Sequence, residues 1–194
     1  PYVAGLYILA ARVLKVPTRI LGLSISQALL KEITMRRNEN LSVFPFLLGV
    51  FLVLTFLIAF PFVALVMSSQ GLFAWIFGAE WEASGRYAAV MAPWIAMQFV
   101  SLSVSSAYPA LEKNRNYAVV QCLLLLSSTL PLLASHRLGL DALQSVAVLS
   151  VTNCMVNALF GAGALVIGYR NDAGLTRQGF RRSGLLSETQ RHAE

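Results

Sequence analysis

Apolar residues in this chain gather in long unbroken blocks and do not recur with the period of a surface helix. Five such blocks approach or exceed the roughly 20 residues that a helix needs to cross a bilayer. They fall at about residues 3–33, 44–67, 87–111, 117–134 and 143–169, with short polar stretches between them. The pattern predicts an all-α, polytopic transmembrane helical bundle of about five spans. Residues 1–169 form the transmembrane domain, and residues 170–194, polar and basic, are expected to be a disordered cytoplasmic tail.

The first block is long and carries Pro17 near its middle. Neither side of the proline is long enough to cross alone. One helix running through it is therefore expected, with neighbouring helices satisfying the freed carbonyl. Pro45 suits the first turn of the second helix, and Pro61, Pro93 and Pro109 mark places for kinks. The stretch Ser68–Glu82 holds Phe73, Trp75, Phe77 and Trp81 and reads as an aromatic interfacial connection.

Composition agrees with a lipid setting. Hydrophobic residues make up 57% of the chain and charged residues 12%, against roughly 25% charged in a soluble domain. Mean hydropathy is +0.66. The net charge of +6 follows topology and is no signature of nucleic-acid binding. Lys31, Arg36 and Arg37 follow the first span, Lys113 and Arg115 the third, and Arg170, Arg177, Arg181, Arg182 and Arg191 the fifth. The alternate connections hold only Arg86 and Arg137. By the positive-inside rule the basic set is cytoplasmic, so the chain begins outside and ends inside a cytoplasmic (inner) membrane. Cys122 and Cys154 lie in apolar blocks without a metal or redox spacing and read as small buried thiols.

Three cations break the first block. Arg12, Lys15 and Arg19 sit at i, i+3, i+7, within about 60° of one helix face. Charges at membrane depth normally face a water-filled cavity or a partner in the bundle. Every acidic residue lies at a span end, in a connection or in the tail, so none is placed to neutralise the stripe. The stripe is a candidate anion site: Arg grips phosphate oxygens bidentately, and Lys acts as a point charge. The alternative is snorkelling of long side chains to the interface.

Two further faces stand out. Trp94, Gln98, Ser101, Ser105 and Tyr108 recur at helical spacing along the third span. They read either as interhelical hydrogen bonding or as a polar, aromatic cavity wall suited to sugar. Asn153, Asn157 and Gly161, with Gly168 beyond them, read as a packing seam on the fifth span. No HExxH, GxSxG, P-loop or paired-carboxylate pattern occurs. The expectation is a protein that is not an enzyme, with no metal or cofactor and with a coupling ion left open.

The segments VAGLYILAARVLKVPTRILGLSISQALLKEI, IFGAEWEASGRYAAVMAPW and ALEKNRNYAVVQ together resemble the C-terminal half of polysaccharide-biosynthesis (Wzx-type) oligosaccharide flippases. These belong to the MOP superfamily with the MATE transporters and the lipid II flippases. The likeness runs from about Val3 to Tyr169. Its motifs are loose singly and more specific in their order and spacing. The resemblance implies two six-helix lobes around a central cavity, working by alternating access. The cargo would be a polyprenyl-pyrophosphate-linked oligosaccharide moved to the outer leaflet for O-antigen, capsule or exopolysaccharide synthesis. It places Arg12, Lys15 and Arg19 at the pyrophosphate.

On that alignment the chain supplies the eighth to twelfth helices. It is expected to be a portion of a longer protein whose N-terminal lobe is its first partner. Membrane lipid, a polysaccharide polymerase and chain-length machinery complete the expected partners. The rival readings are a MATE-like small-molecule antiporter, which would want intramembrane Asp or Glu, and a membrane enzyme or scaffold of the polysaccharide assembly complex.

Overall fold

A computed structural model describes the backbone from residue 2 to residue 191 and the side chains of residues 3–175. The described residues form helices and their connections, with no strand among them. α1 spans Tyr2–Asn38, α2 Phe44–Phe77, α3 Glu82–Val104, α4 Ala107–Ala110, α5 Asn114–Arg137 and α6 Ala142–Arg191. A 3-10 turn, Ala79–Trp81, joins α2 to α3. The expected all-α polytopic bundle is what the chain forms.

The helices run up and down. Near one end Leu6, Ala10 and Leu14 of α1 meet Phe73 of α2, Tyr87 and Met91 of α3 and Val146 of α6 in one apolar cluster. Near the other end Leu29 and Ile33 of α1 meet Val43 and Leu47 of α2, Val104 of α3 and Ala164 and Ile167 of α6. α1, α3 and α6 therefore run parallel, and α2 and α5 run against them. α3 is the central helix and is buried along most of its length.

Among the described residues four segments are long and apolar enough to cross a membrane: Phe44–Phe77, Ala79–Ala110, Asn114–Arg137 and Ala142–Leu175. α2 is the most apolar, with a mean hydropathy of 2.8 over an 18-residue stretch. Its outward residues Phe56, Phe60, Met67 and Trp75 are 77%, 81%, 84% and 83% exposed. Water does not tolerate such a surface, and lipid does. The polarity is inverted relative to a soluble bundle: Ser84, Ser101, Ser103, Asn153 and Asn157 are buried while Leu and Phe face out. The hydroxyls that do face outward, on Ser24, Ser68 and Thr129, donate to carbonyls one turn back in their own helices. The protein is a multi-pass α-helical membrane protein.

α1, which carries the cations Arg12, Lys15 and Arg19, is not among those four. Yet it joins both end clusters, so it runs the length of the bundle beside α3. It is one continuous helix through Pro17. α1 ends at the left-handed Asn40 (φ 56°), where Leu41 N–H closes on the Arg36 carbonyl at 2.8 Å.

Several sequence expectations are corrected. α2 does not stop at Met67; it continues to Phe77, so most of the expected interfacial stretch is helix. Phe73 there is core, not an interfacial anchor. Within the membrane a helix keeps its backbone bonded, which outweighs the polar Ser68–Gln70. The third span starts at Glu82 and breaks at Ser105 and Ser106, just before Pro109, which lacks the N–H to continue. Cys122 is exposed on α5 and not buried, while Cys154 is partly buried. Residues 170–175, expected in the tail, continue α6. The rest of that expected tail, from residue 176, lies outside the residues whose side chains are described.

Close approaches hold the bundle. At Gly85 a Cβ would lie 2.6 Å from the Ser69 carbonyl oxygen and the Gln70 Cα, so α2 and α3 touch backbone to backbone. Asp172 of α6 accepts from the N–H groups of Val43 at 2.9 Å and Phe44 at 2.9 Å, capping the start of α2 from another helix. Gly85→Ala is expected to lower stability by about 1–3 kcal/mol, since the backbones must part. Gly49→Ala, with no atom within 4 Å of its added Cβ, is expected to be neutral or stabilising. Thermal unfolding of both variants in detergent checks this, and equal midpoints would remove the close approach as a determinant of packing.

Candidate functional site

Helical spacing turns Arg12, Lys15 and Arg19 towards one side of α1, and α3 lies against the neighbouring face through Ala10, Leu14 and Gly22. The three cations then part. Lys15 is half-buried, and its Nζ sits 4.1 Å from the centroid of the Trp94 ring. A cation over an indole face at this range gains about 0.5–2 kcal/mol. Arg12 and Arg19 are exposed. Among the described residues none of the three makes an ion pair; the pairs present are Arg36 with Glu32 and Arg37 with Glu112 near the far end of α1.

A cavity of about 520 Å³ opens beside this stripe. α1 contributes Lys15, Thr18, Arg19 and Leu23, and α3 contributes Gln98, Phe99 and Leu102. α5 adds Tyr117, Gln121 and Leu124, and α6 adds Asn157 and Phe160. α1 and α5 flank the cavity, and α3 and α6 form its floor. The volume lies in the range of small-molecule sites, and the lining mixes apolar walls with a few convergent polar groups. Two cations, two Gln amides, an Asn amide and a phenol can together hold an anion and hydroxyl-rich groups next to it.

The stripe and the α3 face were separate features in the sequence, and the structure brings them together only in part. Lys15, Arg19 and Gln98 share the cavity; Arg12 does not line it. Trp94 is buried beneath Lys15, and among the described residues its indole Nε1–H meets no acceptor. Ser101 and Tyr108 serve packing: the Ser101 hydroxyl donates to the Asn157 carbonyl at 2.6 Å, and the Tyr108 hydroxyl donates to the Phe160 carbonyl at 3.0 Å. Ser105 donates to the Leu102 carbonyl in its own helix.

The α6 seam packs as its spacing implied. Asn153 donates to the Ser127 and Leu149 carbonyls and accepts from the Ser127 and Ser128 hydroxyls. A Cβ at Gly161 would meet Phe51 at 3.0 Å and the Ser101 hydroxyl at 3.3 Å. Asn157 is both seam and cavity lining. Thr18, Tyr117 and Gln121 were missed. Tyr117 and Gln121 lie four apart in the first turns of the fourth apolar block, and that spacing was the available signal.

If the cavity holds water, cysteines placed in it will react with a water-soluble maleimide. In a Cys122→Ser, Cys154→Ser background, Gln98→Cys and Gln121→Cys are expected to label at least about tenfold faster than buried Ser103→Cys or lipid-facing Leu125→Cys, because the thiolate forms only where water reaches. Equal rates at all four positions would mean a dry seam.

Comparison with protein-family models, with curated proteins and with solved structures returns no match.

Proposed function

We propose that this chain forms one wall of a transport path for a polyprenyl-pyrophosphate-linked oligosaccharide, carried across the inner membrane to the outer leaflet without bond making or breaking. The observation that carries the reading is the pair Lys15 and Arg19 lining a membrane-depth cavity opposite Gln98, Gln121 and Asn157. A pyrophosphate is an anion that cannot cross hydrocarbon alone. A cationic cavity lowers that barrier, and the adjoining amides match the hydroxyls of the attached sugars. The polyprenyl tail would stay in lipid alongside the bundle.

Arg12 and the exposed side of α1 then face the second lobe of the transporter, an N-terminal half that completes the cavity. Lys15 rests on the Trp94 ring, a contact that needs no carboxylate and leaves its amine facing the cavity for the cargo. Pro17, Pro61 and Pro93 give the long helices places to bend between inward and outward states. In this reading the end bearing Arg36, Arg37, Lys113 and Arg170 is cytoplasmic, as the positive-inside rule requires, and the C-terminus lies on that side.

The test is leaflet sidedness of the lipid-linked oligosaccharide in cells carrying the complete reading frame. Deletion is expected to strand the intermediate on the cytoplasmic face, and re-expression to clear it. Replacing Arg12, Lys15 and Arg19 together by Ala is expected to leave insertion intact and cut export at least about tenfold, since each charged hydrogen bond is worth about 1.5–3 kcal/mol. Normal export in that variant would falsify the site. Normal crossing with failed chain growth in the deletion strain would instead place the protein after translocation.

A further inference from the structure

A second constellation lies away from this cavity, where α1, the α4–α5 turn and α6 converge. A pocket of about 500 Å³ there is lined by Arg37, Glu112, Lys113, Asn116, Arg170 and Asn171 among others. Arg37 is committed within the protein. It donates to the Ala110 carbonyl at 3.1 Å and pairs with Glu112 at 3.0 Å. Among the described residues Lys113 and Arg170 make no ion pair. The pocket therefore keeps an excess of positive charge, with the Asn116 amide as a further donor, while the Asn171 amide already donates to Asp172 Oδ1 at 3.4 Å. α5 also begins here without a side-chain cap, so its first backbone N–H groups add to the positive potential.

The pocket continues into a long apolar groove of about 750 Å³ between α5 and α6. Asn116, Ile167 and Arg170 line both. From Asn116 the groove follows α5 past Leu123 to Leu130 and Pro131, a rise of about 21 Å from Asn116 to Leu130. One leaflet of hydrocarbon is about 15 Å deep. The groove thus starts at the helix ends, where headgroups lie, and reaches at least as deep as an acyl chain.

We propose that this continuous surface is a binding site for an anionic phospholipid, with its phosphate between Lys113 and Arg170 and one acyl chain laid along the α5–α6 groove. Charge and shape complement the two parts of that one molecule: a cationic pocket for the headgroup, and a lipid-exposed apolar channel for the tail. A neutral phospholipid offers the tail without net negative charge, and a free anion offers only the charge. The site serves the α5–α6 pair, since α5 has few other neighbours to hold it, and it stands apart from whatever the bundle carries.

The purified protein in detergent, titrated with phosphatidylglycerol, with phosphatidylcholine and with inorganic phosphate, tests this by native mass spectrometry and by thermal shift. Phosphatidylglycerol is expected to bind and to raise the unfolding midpoint; phosphatidylcholine and phosphate are each expected to do much less. Lys113→Gln and Arg170→Gln, both at exposed positions, are each expected to weaken phosphatidylglycerol binding about fivefold. Leu123→Trp, which fills the groove and leaves the charges in place, is expected to weaken it as well. Equal binding of the neutral lipid, undiminished binding in both charge variants, or a full effect of inorganic phosphate would each overturn the proposal.

Discussion

Helices in a bilayer gain nothing by hiding apolar side chains from lipid, so this fold depends on how closely its backbones can approach and on what they exchange when they do. α3 is where both happen. Gly85 admits the α2 backbone, and Gly161 admits Ser101, whose hydroxyl then reaches the Asn157 carbonyl at 2.6 Å. Tyr108 repeats the device one helix segment later, donating to the Phe160 carbonyl. In each case a small residue on one helix makes room for a polar group on the next. The remaining helices are arranged around these contacts, and the cavity lies in the gap that α1 and α5 leave above the α3–α6 seam.

The same arrangement explains how cations are kept at depth. A buried carboxylate would neutralise Lys15 and remove it from any ligand. An aromatic face stabilises the ammonium without cancelling its charge, and Trp94 supplies one at 4.1 Å. Arg19 lines the same opening. Among its lining residues the cavity therefore carries two basic side chains and no carboxylate.

Much of this was legible in the sequence, for reasons that can be named. Block length marks the apolar helices, and the structure gathers Arg37, Lys113 and Arg170 at one end, the same-side grouping that the alternation of Lys and Arg between connections implies. α1 was readable as one helix because neither side of Pro17 can cross alone. The face running from Trp94 to Tyr108 was visible as a face, but its role was not. A 3.6-residue period is identical for side chains that wall a cavity and for those that donate to a neighbour's carbonyl, and only tertiary placement separates Gln98 from Ser101. The end of α2 was misread because local polarity at Ser68–Gln70 was weighed without the backbone's need for hydrogen bonds. Asp172 was hidden for a different reason: its partners lie in a distant segment, and no local pattern encodes a cap supplied from another helix.

That cap also orders events in time. Val43 and Asp172 are 129 residues apart, so a ribosome adding about 5–20 residues per second leaves the first turn of α2 without its acceptor for roughly 6–26 s. Through that interval water at the membrane surface must serve the exposed N–H groups, and α2 can enter the bilayer but cannot lock its start. The start of α2 is therefore fastened only once α6 has been made, and a chain released before Asp172 emerges would still lack the contact that ties the first turn of α2 to α6.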